Sequence, residues 1–288
     1  MKLFNIFVLL VLASTARGFA AENNELTADQ SRVLEAVRVS ALQYTQSLPD
    51  FICTQITHRE VTDQVGFGTS FNGASSSRGQ SGVASAPRGA GGIDDLIEER
   101  LTFFDEMEHY EVIAVNGKKA AAGQDHMEFG GAISAGEFGS ALQNLFNPRA
   151  LAEFSWDKVA NVNGRRVYIF KFQVPSQNGT IVIHRETDQK ILVASTGRLF
   201  VDSETLQVVR ITSELELPPD FPIKMATVSV DYKPVAIAGK TYNLPNRSQV
   251  RMKDNSRLYV NQIEFRDYHK FAVESTIHYD SEGAPPKQ

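Results

Sequence analysis

The chain has 288 residues, with 34 acidic against 29 basic side chains and a formal charge of −5. An acidic chain without a long basic block argues against nucleic acid as a partner. Its one cysteine, Cys53, excludes an intrachain disulfide and any Cys/His zinc spacing.

Residues 1–20 predict a secretory signal peptide. Lys2 supplies the positive start, Leu3 to Ala13 is apolar apart from Asn5, and Gly18-Phe19-Ala20 is a small-x-small exit, which places cleavage after Ala20. The apolar run is shorter than the roughly 20 residues a membrane span needs. No later run could cross a membrane, so the expected location is the periplasm or outside the cell. Losing the leader removes Lys2 and Arg17 and moves the formal charge from −5 to −7.

Thr27-Ala28-Asp29-Gln30 is a capping box, and it predicts a helix from Ala28 to about Ser47. Val33, Val37, Ala41 and Tyr44 give that helix one apolar face, and Pro49 ends it. A strand is expected from Phe51 to about Thr62. Cys53 lies in it, where a small apolar side chain is usually buried; a thiol paired between chains is the open alternative.

Residues 66–92 are low in complexity, rich in Gly, Ser, Ala and Arg, and predict a flexible loop between two strands. A phosphate-cradling role is disfavoured, because no Lys-Ser/Thr pair follows and no helix starts at its end. Leu96 to Phe104 and Glu108 to Val115 predict a strand pair, with Asn116-Gly117 as a tight turn. Ser134-Ala135-Gly136-Glu137 is a second capping box, expected to open a short helix from Ala135 to Asn147 ahead of Pro148.

From Leu151 onward the pattern is strand and turn. Ala152, Phe154 and Trp156 alternate on one face, and so do Tyr168, Phe170, Phe172 and Val174. Asn163-Gly164 and Ala238-Gly239 are expected turns. A Pro-rich corner precedes a strand starting near Ile223. KTYNLP and SQVRMK are expected as successive segments, and RLYVNQIEF and FAVESTIHY as a pair joined by RDYHK. The tail at 281–288 is expected to be disordered. About eleven alternating strands favour one antiparallel sheet with one face covered. The fold class is therefore mainly β (α+β), and residues 21–280 are expected to form a single domain.

No motif commits the chain to a reaction. A Gly-x-Ser-x-Gly elbow is absent. Glu106, Glu108, His109, Asp125, His126 and Glu128 could meet at one hairpin end, but solvated polar residues near strand ends explain them better than a metal site. Asn178-Gly179-Thr180 and Asn246-Arg247-Ser248 match the glycosylation sequon and are read as turn residues. No cofactor is expected.

Gly197 to Ile211, GRLFVDSETLQVVRI, resembles the strand–turn–strand hairpin of periplasmic lipoprotein carriers of the LolA/LolB type. The segments LPDFICTQ, GGAISAGEFGS and IEFRDYHKF also resemble uncharacterised secreted bacterial proteins. The carrier resemblance implies a strongly curved, unclosed antiparallel sheet around an apolar cavity, with the two predicted helices as lids. It implies a lipid, a lipoprotein acyl group or another apolar ligand on the concave face, and no catalysis. The candidate wall is Phe138, Leu142, Phe146, Phe154, Trp156, Phe170 and Phe172. The alternative is a periplasmic sensor or scaffold that binds an envelope protein through the sheet edges or the 66–92 loop and has no ligand cavity.

Overall fold

The computed structural model describes residues 25–63, 92–121, 124, 137–138, 140–184 and 189–271. The expected leader, nearly all of the Gly/Ser stretch, Ser134 to Gly136 of the second capping box, Asp125, His126 and Glu128, all of the expected FAVESTIHY strand but Phe271, and the C-terminal tail lie outside them.

Helix α1 (Ala28–Ser47) begins at the predicted capping box. The Gln30 amide donates to Thr27 Oγ1 at 3.3 Å, and the Thr27 amide donates to Gln30 Oε1 at 2.9 Å. Strand β1 (Phe51–Asp63) follows, then β2 (Ile93–Phe104), β3 (Met107–Val115) and a two-residue β4 (Lys118–Lys119). The β3–β4 turn has positive φ at both Asn116 and Gly117, the backbone that Asn-Gly tolerates and a twisted hairpin requires. Helix α2 is Ser140–Phe146, shorter than expected. A 3-10 turn at Pro148–Ala150 leads through a left-handed Leu151 into β5 (Glu153–Val162). Strand β6 is Arg165–Val174.

Among the described residues, strands β7 (Thr180–His184) and β8 (Gln189–Val193) pair with each other alone. They form a separate two-stranded sheet, not ribs of the main one. Next come β9 (Ser195–Asp202), β10 (Val208–Leu215), β11 (Met225–Ile237), β12 (Lys240–Lys253) and β13 (Arg257–Lys270). The main sheet is antiparallel, has eleven strands and is not closed, in the order β4-β3-β2-β1-β13-β12-β11-β10-β9-β6-β5.

Three expectations about breaks are corrected. KTYNLP and SQVRMK are one strand, β12, because Tyr232 pairs with Pro245 and Asp231 with Arg247, which leaves Asn246 unpaired. A bulge is one of the few places a sheet tolerates proline. Asn246 is thus a bulge residue rather than a turn residue. RDYHK is not a connection either. It continues β13, whose last residue pairs with Phe51, the first of β1. The β1–β13 register slips there, between the Ile52–His269 and Thr54–Arg266 pairs, and Asp267 has φ 58°.

Alternation decides which face is covered. Phe170, Leu199, Ile211 and Val230 pair in series across β6, β9, β10 and β11. They pack with Val37 and Ala41 of α1 and Leu142, Leu145 and Phe146 of α2 in one core cluster. A second cluster joins Phe51, Leu101, Phe138, Leu244 and Phe265 across the other half of the sheet. Cys53 belongs to it and is buried, so it is not exposed for pairing between chains, and burial pushes its thiol pKa up.

The β9–β10 turn is fastened by Asp202, whose Oδ1 accepts from the Glu204 amide at 2.9 Å and the Thr205 amide at 3.0 Å. Burial alone would raise this carboxyl, but those backbone bonds, with Arg165 nearby, hold its pKa below the usual value. A depressed folded pKa means stability that is present above the unfolded value, about 3.9, and is lost as pH falls through the folded value. Asp202→Ala is expected to cost about 2 kcal/mol at pH 7, measured by urea unfolding. The gap from wild type is expected to shrink at pH 3.

Candidate functional site

The seven predicted wall residues do not share one surface. Leu142, Phe146, Phe170 and Phe172 are buried in the helix-covered cluster, and the half-buried Phe154 and Trp156 pack against it. Phe146 and Phe154 stack with centroids 5.1 Å apart, and Trp156 meets Phe170 edge-on at 5.3 Å. Phe138 lies in the other cluster, 5.3 Å from Phe51 and 5.1 Å from Phe265. The pairing that separates it from the rest is non-local and leaves no trace in spacing.

The open apolar space lies along the helix seam. A groove of about 480 Å³ runs between α1 and the segment from α2 to β5. Leu26, Leu34, Leu145, Leu151, Phe146 and Phe154 line it. The local sequence explains its shape. The capping box starts α1 just after Leu26, so Leu26 and Leu34 fall on the side facing α2. Asn147 Oδ1 accepts from the Arg149 amide at 2.9 Å and caps the 3-10 turn before Leu151. Leu151 then holds φ 50° and is 57% exposed, a large apolar side chain at the groove mouth. Arg38 and Glu35 stand at the same mouth and bond each other through two contacts of 2.7 and 2.6 Å. A smaller space of about 150 Å³ lies under α1 beside Tyr44 and Asn243.

Beside the apolar cluster, the second half of the sheet also buries a set of polar side chains, which sequence reading missed. Gln55, Thr57 and Arg59 point inward from β1, with Glu99 from β2, Ser248 from β12 and Asn261 from β13, and all are buried. Gln55 Nε2 donates to Glu99 Oε2 at 2.7 Å, and Arg59 pairs with Asp95. Burial, then the charges of Glu108, Glu137 and Glu99, pushes the Tyr110 phenol up. The signal was available: in FICTQITHREV the alternate residues from Phe51 include Gln55, Thr57 and Arg59. Glu108, one of the weighed ligating residues, accepts from Tyr110 at 2.6 Å and the Phe138 amide at 3.3 Å. Among the described residues no three His, Cys, Asp or Glu side chains are grouped to hold a metal ion. No described helix is long and apolar enough to cross a membrane.

No family model matches the chain, and no curated protein matches it. Among solved structures it is similar to a DUF1329 family protein from Desulfovibrio piger, at 10% identity and TM-score 0.34, over 84% of this chain and 94% of that one. It is also similar to an outer membrane lipoprotein-sorting protein domain from Vibrio parahaemolyticus, at 8% identity and TM-score 0.32, over 82% and 90%.

Proposed function

We propose that the protein is a non-enzymatic binding protein of the bacterial envelope that holds the apolar chain of a lipid or acylated protein. The supporting observation is the groove between α1 and the α2–β5 segment. It is mainly apolar, open to solvent, and within the size range of about 300–1,000 Å³ typical of ligand sites. Phe146 and Phe154 form its floor. Leu142, Phe170, Phe172 and Trp156 lie in the layer beneath, and α1 covers that layer with side chains alone. A shift of α1 along this seam would lengthen the groove and release its guest. Each buried methylene contributes roughly 0.8 kcal/mol, so a long acyl chain needs no polar motif to bind. Phe138 belongs to the other core and takes no part.

The test is displacement of a fluorescent sixteen-carbon fatty acid. The double variant Leu34→Glu/Leu151→Glu places two carboxylates on the groove wall at positions that already meet solvent. It is expected to weaken probe binding at least about tenfold while far-UV circular dichroism stays unchanged. Equal affinity in wild type and variant would remove the groove from the proposal.

One observation favours the scaffold alternative. β5 ends the sheet, and among the described residues no strand pairs with its outer edge. Such an edge is a template for another chain. A partner captured equally well by wild type and the groove variant would favour that reading.

A further inference from the structure

The sheet face away from the helices carries a second, larger concavity. A trough of about 600 Å³ crosses β5, β6, β9, β10, β11 and β12. Its lining is mixed, and one polar row across it reads Ser155, Lys171, Arg198, Thr212, Ser229 and Gln249. Within that row Lys171 and Arg198 are direct cross-strand partners. Like charges placed directly opposite destabilise a sheet, so the pair calls for an explanation.

The explanation begins on the edge strand. The β5–β6 register slips between Trp156 and Lys158, which leaves Asp157 without a partner of its own. Bulges re-aim side chains in this way. Asp157 reaches both cations, with Oδ2 3.0 Å from Arg198 Nε and Oδ1 3.8 Å from Lys171 Nζ. One carboxylate between two half-exposed cations leaves a net positive corner, flanked by the hydroxyls of Ser155 and Thr212. Glu153 and Glu214 stand in the next row, about 7 Å along the strands, with Arg251. A compact anion fits the corner, whereas a broad one would meet those carboxylates.

Phe154 connects the two concavities, because it lines both the groove and the trough. Both reach the edge strand β5. We propose that the ligand is an anionic amphiphile, with its chain in the helix-side groove and a compact anionic head, phosphate or carboxylate, carried over the edge of β5 to the Lys171–Arg198 corner. This rests on the apolar-groove reading and adds the head-group class to it.

Calorimetry of the full chain at low salt tests it, with dodecyl phosphate, the neutral-headed dodecyl maltoside and inorganic phosphate as probes. Dodecyl phosphate is expected to bind about fivefold more tightly than dodecyl maltoside, the size of a partly exposed ion-pair effect, and the difference should fade in high salt. Lys171→Ser/Arg198→Ser is expected to abolish the difference and leave dodecyl maltoside binding alone. Asp157→Asn is expected to increase it. Equal affinity for the two dodecyl probes in the wild type would overturn the anionic head and leave the groove standing. Inorganic phosphate bound as tightly as dodecyl phosphate would make the corner a free-anion site and overturn the amphiphile. If neither dodecyl compound binds, the groove reading falls and the amphiphile with it.

Discussion

Gly197→Ala is expected to destabilise the protein by about 3 kcal/mol, a large share of the roughly 5–15 kcal/mol that holds a domain folded. Gly197 pairs with Phe172 on one side and Ser213 on the other. A Cβ built on Gly197 would lie 2.1 Å from the Thr212 carbonyl oxygen and 2.3 Å from Cζ of Phe172. The Phe172 ring therefore occupies the space a side chain would take, an aromatic laid over a strand glycine. The ring could move aside at some cost, but the backbone carbonyl cannot. Gly197→Ala/Phe172→Leu is accordingly expected to remain well below wild type in urea unfolding. Full recovery in the double variant would show that the ring alone excludes the methyl group.

Phe138→Ala is expected to cost about 4 kcal/mol while leaving the affinity for a fluorescent fatty acid unchanged in the folded fraction. The ring is fully buried and sits against Phe51, Phe265 and Tyr268. Truncating it opens a cavity over the paired strands β1 and β13, whose ladder limits collapse. None of its partners lines the groove beside α1. Thermal unfolding with and without the fatty acid checks both halves of the prediction. A loss of affinity as large as that of the Leu34/Leu151 variant would show that the two cores act together and that Phe138 belongs to the ligand wall.

The local grammar of this chain was legible because short-range chemistry decides it. The Thr27–Gln30 capping box and the Asp202 turn depend on side chains bonding backbone within a few residues, and the Asn-Gly turns at Asn116 and Asn163 depend on positive φ at successive residues. The shared face of Tyr168, Phe170, Phe172 and Val174 follows from the two-residue period of a strand. What failed did so where a break was inferred from composition. Pro245 suggested a boundary, yet it sits in a bulge of a continuous strand. RDYHK looked like a polar turn, but β1 pairs with it. In β7 and β8 the apolar runs Ile181 to Ile183 and Ile191 to Val193 read as strands like the others, and nothing local assigns them to a separate sheet.

The candidate site was only half legible. An aromatic-rich surface could be foreseen from Phe154, Trp156, Phe170 and Phe172. Phe138 could not be separated from them, because two helix-proximal aromatics eight residues apart look alike in sequence. Leu26, Leu34 and Leu151 were not singled out, since groove walls are made where two elements fail to meet. The Lys171–Arg198 corner depends on a one-residue slip of β5.

The sequence by itself determined the elements: an N-terminal capped helix, alternating strands and the turns that join them, all set by interactions a few residues long. The tertiary structure decided the rest. It joined β1 to β13 across nearly the whole chain, divided the aromatics into two cores and placed the groove and the trough at the edge strand β5. Those outcomes rest on strand register and non-local pairing, and a pairing between distant strands is chosen by the total burial it allows rather than by either strand alone.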